Sequence, residues 1–326
     1  MILSNTQVKT LAMLGSCGAF GMAALDLAEQ FDDVLILTAD LTSFSGLQRF
    51  KAKYSDRLMN VGVAEQNLIG IAAGLAKEGY NVFATTYATF ATTRCCDQVR
   101  VNMGYMNLNM KLVGLTAGLS VGILGSTHMS IEDIAIMRSI PNIMVLSPAD
   151  CTETVKATMA AAAHHGPVYL RLSGGMSNPI VYGEDYDFEI GKAITLRNGA
   201  DVAVIATGTM VYQALEAAKL LVEQGISSSV IDMHTIKPLD TEAVLESTAA
   251  KLIVTVEEHN VVGGLGGAVA ECLACVSSKP PQLMIGIPDR FPHAADYRRL
   301  LELNGLTPQQ IAQSILDKYK AVERHG

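Results

Sequence analysis

No dense run of lysine or arginine occurs in these 326 residues, and the formal charge of -8 at pH 7 leaves the chain acidic, with an isoelectric point near 5.4. A nucleic acid would find no basic footprint, so such a partner is not expected. The N-terminus, MILSNTQVKTLAML, lacks the charged start, sustained apolar segment and cleavage site of an export signal. A stretch of roughly twenty uninterrupted apolar residues is also missing. These absences make a soluble cytoplasmic protein the expectation, with neither export nor membrane insertion.

Cysteine is sparse and scattered, at Cys17, Cys95, Cys96, Cys151, Cys272 and Cys275. That distribution excludes a disulfide framework. Cys272 and Cys275 form a CxxC, but it sits in the helical pattern GGAVAECLACVSS with no second pair at zinc-finger spacing. Helix packing accounts for it, and no metal ligands are assigned.

What the chain does have is alternation. VLILTAD, RLMNV, NVFATTY, KLVGLTAG, IMVLSPA and VYLRLS are short apolar runs separated by helical patterns. Such runs predict an α/β fold with a mainly parallel sheet covered by helices on both faces. The segment from Ser173 to Gly191, rich in Gly, Pro and acids, breaks the pattern. Beyond it, DVAVIATG, SSVIDMH, LIVTVEEH and QLMIGIPD alternate with further helices. Two α/β domains are therefore expected, at residues 1–175 and 191–326, joined by a linker at 176–190.

Two short motifs invite a chemical reading. In GGLGGAVAE, counting from Gly264 puts Val269 where a dinucleotide fingerprint needs its third glycine, so close helix packing or a subunit contact is the better account. The neighbouring Glu258 and His259 read as a polar interface pair. GVAEQN, Gly62 to Asn67, is more informative, because it puts Glu65 where a predicted strand hands over to a predicted helix. Taken alone, an acid there answers the helix dipole, worth roughly 0.3–1 kcal/mol.

Five segments in register change that reading. TADLT (Thr38 to Thr42), GVAEQN, YATF (Tyr87 to Phe90), CDQVR (Cys96 to Arg100) and the long run from Ser126 to Asp150 together resemble the pyrimidine-binding domain of the transketolase family. The segments from Gly199 to Val211, Val230 to Asp240 and Val256 to Glu271 resemble that family's C-terminal domain.

The resemblance implies thiamine diphosphate as cofactor. It implies that Glu65 hydrogen-bonds the pyrimidine ring and turns its amino group into an internal base. Tyr87 and Phe90 fall where the family stacks the pyrimidine, while Val63 and Asp40 fall on positions around the cofactor and the subunit interface. His128 matches a histidine near the donor ketose, and Arg171 an arginine that binds the acceptor phosphate.

The departures are equally specific. Typical transketolases read GEDGPTH where this chain has GILGSTH, so Leu124 replaces an acid that reads a sugar hydroxyl. Thr116 or Ala117 stands in place of a phosphate-binding residue, and Phe44 in place of a serine. A buried leucine cannot replace a hydrogen bond to a hydroxyl, which points to a specialised sugar or 2-oxo acid substrate. No GDG motif occurs, although the family uses one to hold the divalent metal. The resemblance thus implies a separate N-terminal subunit that carries the diphosphate and Mg2+ site. An active site between the two subunits and a two-plus-two heterotetramer follow. A β subunit of a 2-oxo acid decarboxylating complex, a deoxyxylulose-phosphate-synthase-like enzyme and a non-catalytic scaffold subunit remain open alternatives.

Overall fold

The computed structural model describes residues 4–325. Twelve strands are described: β1 (Val34–Thr38), β2 (Leu58–Asn60), β3 (Asn81–Tyr87), β4 (Met110–Ala117), β5 (Met144–Leu146), β6 (Val168–Ser173), β7 (Ile194–Arg197), β8 (Val202–Ala206), β9 (Ser228–Asp232), β10 (Thr235–Lys237), β11 (Leu252–Asn260) and β12 (Gln282–Ile287). They form a seven-stranded sheet, β10-β5-β6-β4-β3-β1-β2, and a five-stranded sheet, β12-β11-β8-β9-β7. Every pairing among β1 to β6 is parallel. The expected pair of mainly parallel, helix-flanked sheets is what forms.

Continuous apolar strands are needed because helices cover both faces. All eight residues of β4 and all five of β8 are buried. On one face of the first sheet, Leu68, Ile69 and Ala72 of the helix Glu65–Lys77 pack over Leu37 and Val82. On the other, Phe20 and Leu27 of the first helix, α1 (Asn5–Gln30), pack with Ile36 and Phe83.

α1 departs from the sequence reading. By length and composition it could cross a membrane, although it lacks a long uninterrupted apolar run. It is not one continuous rod, however, because Gly15 adopts φ 76 and kinks it. Most of its apolar residues are also engaged inside the protein, where they pack on the sheet and on the helix Cys151–Ala163, while Met13 and Leu14 stay exposed. A capping box between Ser4 and Gln7 starts it.

The two sheets are not sealed from one another. The short β10, which follows β9 of the second sheet, crosses over and pairs antiparallel with β5 at the edge of the first. Its three residues carry no periodicity, which is why the sequence reading missed it. Likewise β7 joins the second sheet antiparallel to β9.

Residues 174–193 contain no regular element, yet side chains strap them down. The backbone N–H groups of Val181 and Tyr182 each donate to Asp150 Oδ2 at 2.8 Å. Tyr182 donates to Asp232 Oδ2 at 2.6 Å, Tyr186 donates to Glu153 Oε1 at 2.9 Å, and the two rings stack at 3.9 Å. Asp232 comes from β9 and Glu153 from the helix Cys151–Ala163, so the segment bridges both sheets.

Candidate active site

The carboxyl ends of parallel strands leave a crevice where side chains from several loops can meet. At the end of β1, Asp40 takes the unusual φ of 61, and its side chain accepts from Asn60 Nδ2 at 2.9 Å. Asn60 Oδ1 returns the contact by accepting from the Asp40 and Gly62 N–H groups, both at 3.0 Å. This exchange fixes the path after β2. Gly62, at φ 76, then turns the chain so that Glu65 opens its helix.

Glu65 is only 5% exposed. Its Oε1 lies 2.8 Å from Arg94 Nη1, and Gln66 Nε2 donates to the Arg94 carbonyl at 3.3 Å. Arg94 arrives there through a wide π-helical turn, Phe90–Arg94, that begins three residues after the last residue of β3. Such turns are rare and cluster at functional sites. The guanidinium sits 3.9 Å from the centre of the Phe90 ring.

From Phe90 the cluster continues. Its ring meets Tyr87 edge-on at 5.8 Å and His128 at 5.2 Å, while Tyr87 and His128 are 5.5 Å apart. Phe44 closes on Tyr87 at 5.1 Å. The His128 Nδ1 is paired with Thr127 Oγ1 at 3.0 Å, which leaves Nε2 as the ring nitrogen for an incoming group. Burial raises the Tyr87 phenol above its ordinary pKa, so it stays a neutral ring near pH 7.

Glu65, Tyr87, Phe90 and His128 thus come together, with Glu65 joined to the rings through Arg94. Sequence reasoning did not single out Arg94, and it treated Phe44 only as a lost polar contact. The wide turn that sets Arg94 against Phe90 leaves no periodic signal. Val63 stands 75% exposed beside the site, and Asp40 is held by Asn60 at its rim. Leu124, expected to be buried, is 47% exposed on the short turn Gly122–Leu124. Thr116, last but one in β4, takes φ 51, a strained backbone for a β-branched residue, and such strain persists only where the surroundings enforce it.

Arg171 is elsewhere. It is buried between the two sheets, where Nε donates to Asp133 Oδ2 at 2.8 Å and Nη2 to the Glu258 carbonyl at 2.9 Å. Glu258 and His259 form the other side of that seam. Glu258 accepts from the Leu119 N–H, Thr209 and Tyr297, each at 2.6 Å, and His259 Nε2 accepts from the Ala135 N–H at 3.3 Å. The glycine-rich turn is likewise occupied from within, since Glu257 accepts from the Leu265 and Gly266 N–H groups at 2.7 and 2.8 Å. A carboxylate on that helix start leaves no room for a cofactor phosphate. Cys272 and Cys275 are free thiols, and among the described residues no cluster of His, Cys, Asp or Glu could hold a metal ion.

Family models for the transketolase pyrimidine-binding domain and the transketolase C-terminal domain match residues 14–178 and 191–311. The chain belongs to the transketolase family. This transketolase-family chain is 42% identical over 293 residues to a 6-deoxy-6-sulfo-D-fructose transketolase subunit of Clostridium sp. (strain MSTE9), covering 89% of this chain and 90% of the relative. It is 36% identical over 310 residues to an apulose-4-phosphate transketolase subunit of Phocaeicola vulgatus, covering 94% and 98%. Among solved structures, a split-gene transketolase in an inactive β4 tetramer superposes with a TM-score of 0.86 at 38% identity, covering 94% of this chain and 98% of that one. The chain therefore corresponds to the C-terminal section of a transketolase.

Proposed function

We propose that this chain is the C-terminal subunit of a two-polypeptide, thiamine diphosphate-dependent transketolase that transfers a two-carbon ketol unit. The observation that carries the reading is the buried Glu65 carboxylate at a helix start, beside the partly exposed Tyr87, Phe90 and His128 rings. A flat aminopyrimidine fits a site that pairs aromatic faces with one desolvated carboxyl group. Bound there, thiamine diphosphate would supply the nucleophilic carbon that a ketose donor requires. Glu65 would hold a proton at the pyrimidine ring nitrogen, while Tyr87 and Phe90 exclude water and orient the ring. His128 would present Nε2 to a donor oxygen. Asp40 and Val63 would frame the cofactor at the rim.

A partner subunit is part of the proposal. The site is an open edge with Phe44, Met59 and Val63 exposed beside it, and such apolar surface favours burial against another chain. The relatives named as transketolase subunits and the split-gene transketolase structure support a partner that holds the diphosphate and Mg2+, most simply in a two-plus-two heterotetramer. We place this assembly in the cytoplasm. The relatives named for sulfofructose and apulose 4-phosphate support a non-standard sugar substrate, as does the apolar Leu124. Arg171, engaged by Asp133 and Glu258, is left out of the proposed substrate contacts.

Calorimetric titration of thiamine diphosphate with Mg2+ into this chain, into the GDG-bearing subunit and into their mixture tests the reading. Tight binding confined to the mixture is expected. An inactive mixture that binds no cofactor would favour a non-catalytic subunit.

A further inference from the structure

The contacts proposed for the pyrimidine converge on Glu65 and Phe90, and one side chain of this protein already touches both. Arg94 Nη1 lies 2.8 Å from Glu65 Oε1, and its guanidinium carbon lies 3.9 Å from the Phe90 ring centre. Its backbone is tethered by Gln66 at 3.3 Å, but its side chain is 45% exposed while that of Glu65 is 6% exposed. The base of the residue is thus held, while its head, engaged by Glu65 and Phe90, borders solvent on its other side.

An arginine suits such a place chemically. Its guanidinium is flat, stacks on aromatic faces and donates N–H bonds to a carboxylate. A flat aminopyrimidine would use the same ring and the same carboxyl group, so the two cannot occupy that space together. Without an occupant, Glu65 would be a nearly buried carboxylate with no opposite charge, a costly arrangement. We propose that Arg94 is a placeholder that occupies the Glu65–Phe90 site in the cofactor-free subunit and must swing out to admit the pyrimidine. This inference rests on the cofactor reading above. The contact to be broken is a half-exposed ion pair plus one cation–π contact, so it lowers cofactor affinity by roughly tenfold.

The test is calorimetric titration of thiamine diphosphate with Mg2+ into the reconstituted two-subunit complex, prepared with wild type, Arg94→Ala and Arg94→Lys. Far-UV circular dichroism confirms that each variant is folded. Arg94→Ala is expected to bind about tenfold more tightly than wild type, with Arg94→Lys between them because it keeps the charge but loses the plane. Raised salt should narrow the gap by screening the half-exposed pair. Equal or weaker binding by Arg94→Ala, with wild type still binding, overturns the placeholder and leaves the cofactor reading standing. Failure of every complex to bind overturns both.

Discussion

Arg171 and Asp133 form an ion pair of 2.8 Å from which solvent is excluded, with side-chain exposures of 1% and 0%. Tyr169 adds a hydrogen bond to the same Asp133 oxygen at 2.7 Å, and the Glu258 carbonyl accepts from the other side of the guanidinium. An arginine matched by sequence to an acceptor-phosphate ligand therefore joins β6 of the first sheet to β11 of the second.

Arg171→Met would strand Asp133 as a buried charge and is expected to cost about 3–5 kcal/mol of stability. Urea unfolding checks the loss, and steady-state kinetics of the assembled enzyme check its origin. A raised acceptor KM with unchanged stability would return Arg171 to the substrate contacts.

Glu65→Gln keeps the shape of the side chain but cannot hand a proton to a ring nitrogen. Turnover of the reconstituted enzyme is expected to fall by about 10²–10⁴. The lost ion pair to the half-exposed Arg94 should change stability by only about 1 kcal/mol or less. Unchanged turnover would remove Glu65 from its proposed role.

A second buried cluster sets a pH dependence. Burial pushes the Asp232 carboxyl up to about 7, and Glu153, hydrogen-bonded to it, is raised as well. Asp232 Oδ1 has no partner among the described residues when both carboxyls are ionised, so one shared proton satisfies the pair. Because the folded pKa is raised, this contribution is complete below the unfolded value near 4 and is lost as pH climbs to about 7. Wild type should lose stability across that window by an amount on the order of a few kcal/mol, while Asp232→Asn should show a flatter profile. Parallel wild-type and variant profiles from urea unfolding between pH 4 and 8 would refute the shared proton.

Gly21→Ala tests the support under the site. A Cβ at Gly21 would overlap the backbone carbonyl of Gly46, in the loop that carries Phe44. Main chain yields less readily than a side-chain tip, so the expected loss is about 1–3 kcal/mol. The urea midpoint should fall with the slope unchanged.

Most of the architecture was legible because it follows from local pattern. The central strand runs are mostly apolar, since a parallel sheet covered on both faces offers them little solvent side, and β4 is buried along its whole length, Lys111 included. Glu65, Tyr87, Phe90 and His128 could be singled out because each lies in a short motif, the first three close to a strand end and His128 in the loop after β4. β10 and the π-helical turn were not legible, because a three-residue strand and one widened turn have no period to read.

The sequence by itself determined the alternation of strands and helices, the carboxylate at the start of its helix and the family to which both belong. Only the tertiary structure decided the partners of the charged groups: Arg171 with Asp133, Glu258 with Leu119 and Tyr297, and Arg94 with Glu65. Charge pairing depends on distance and burial between residues remote in the chain, and neither is set until the sheets have packed.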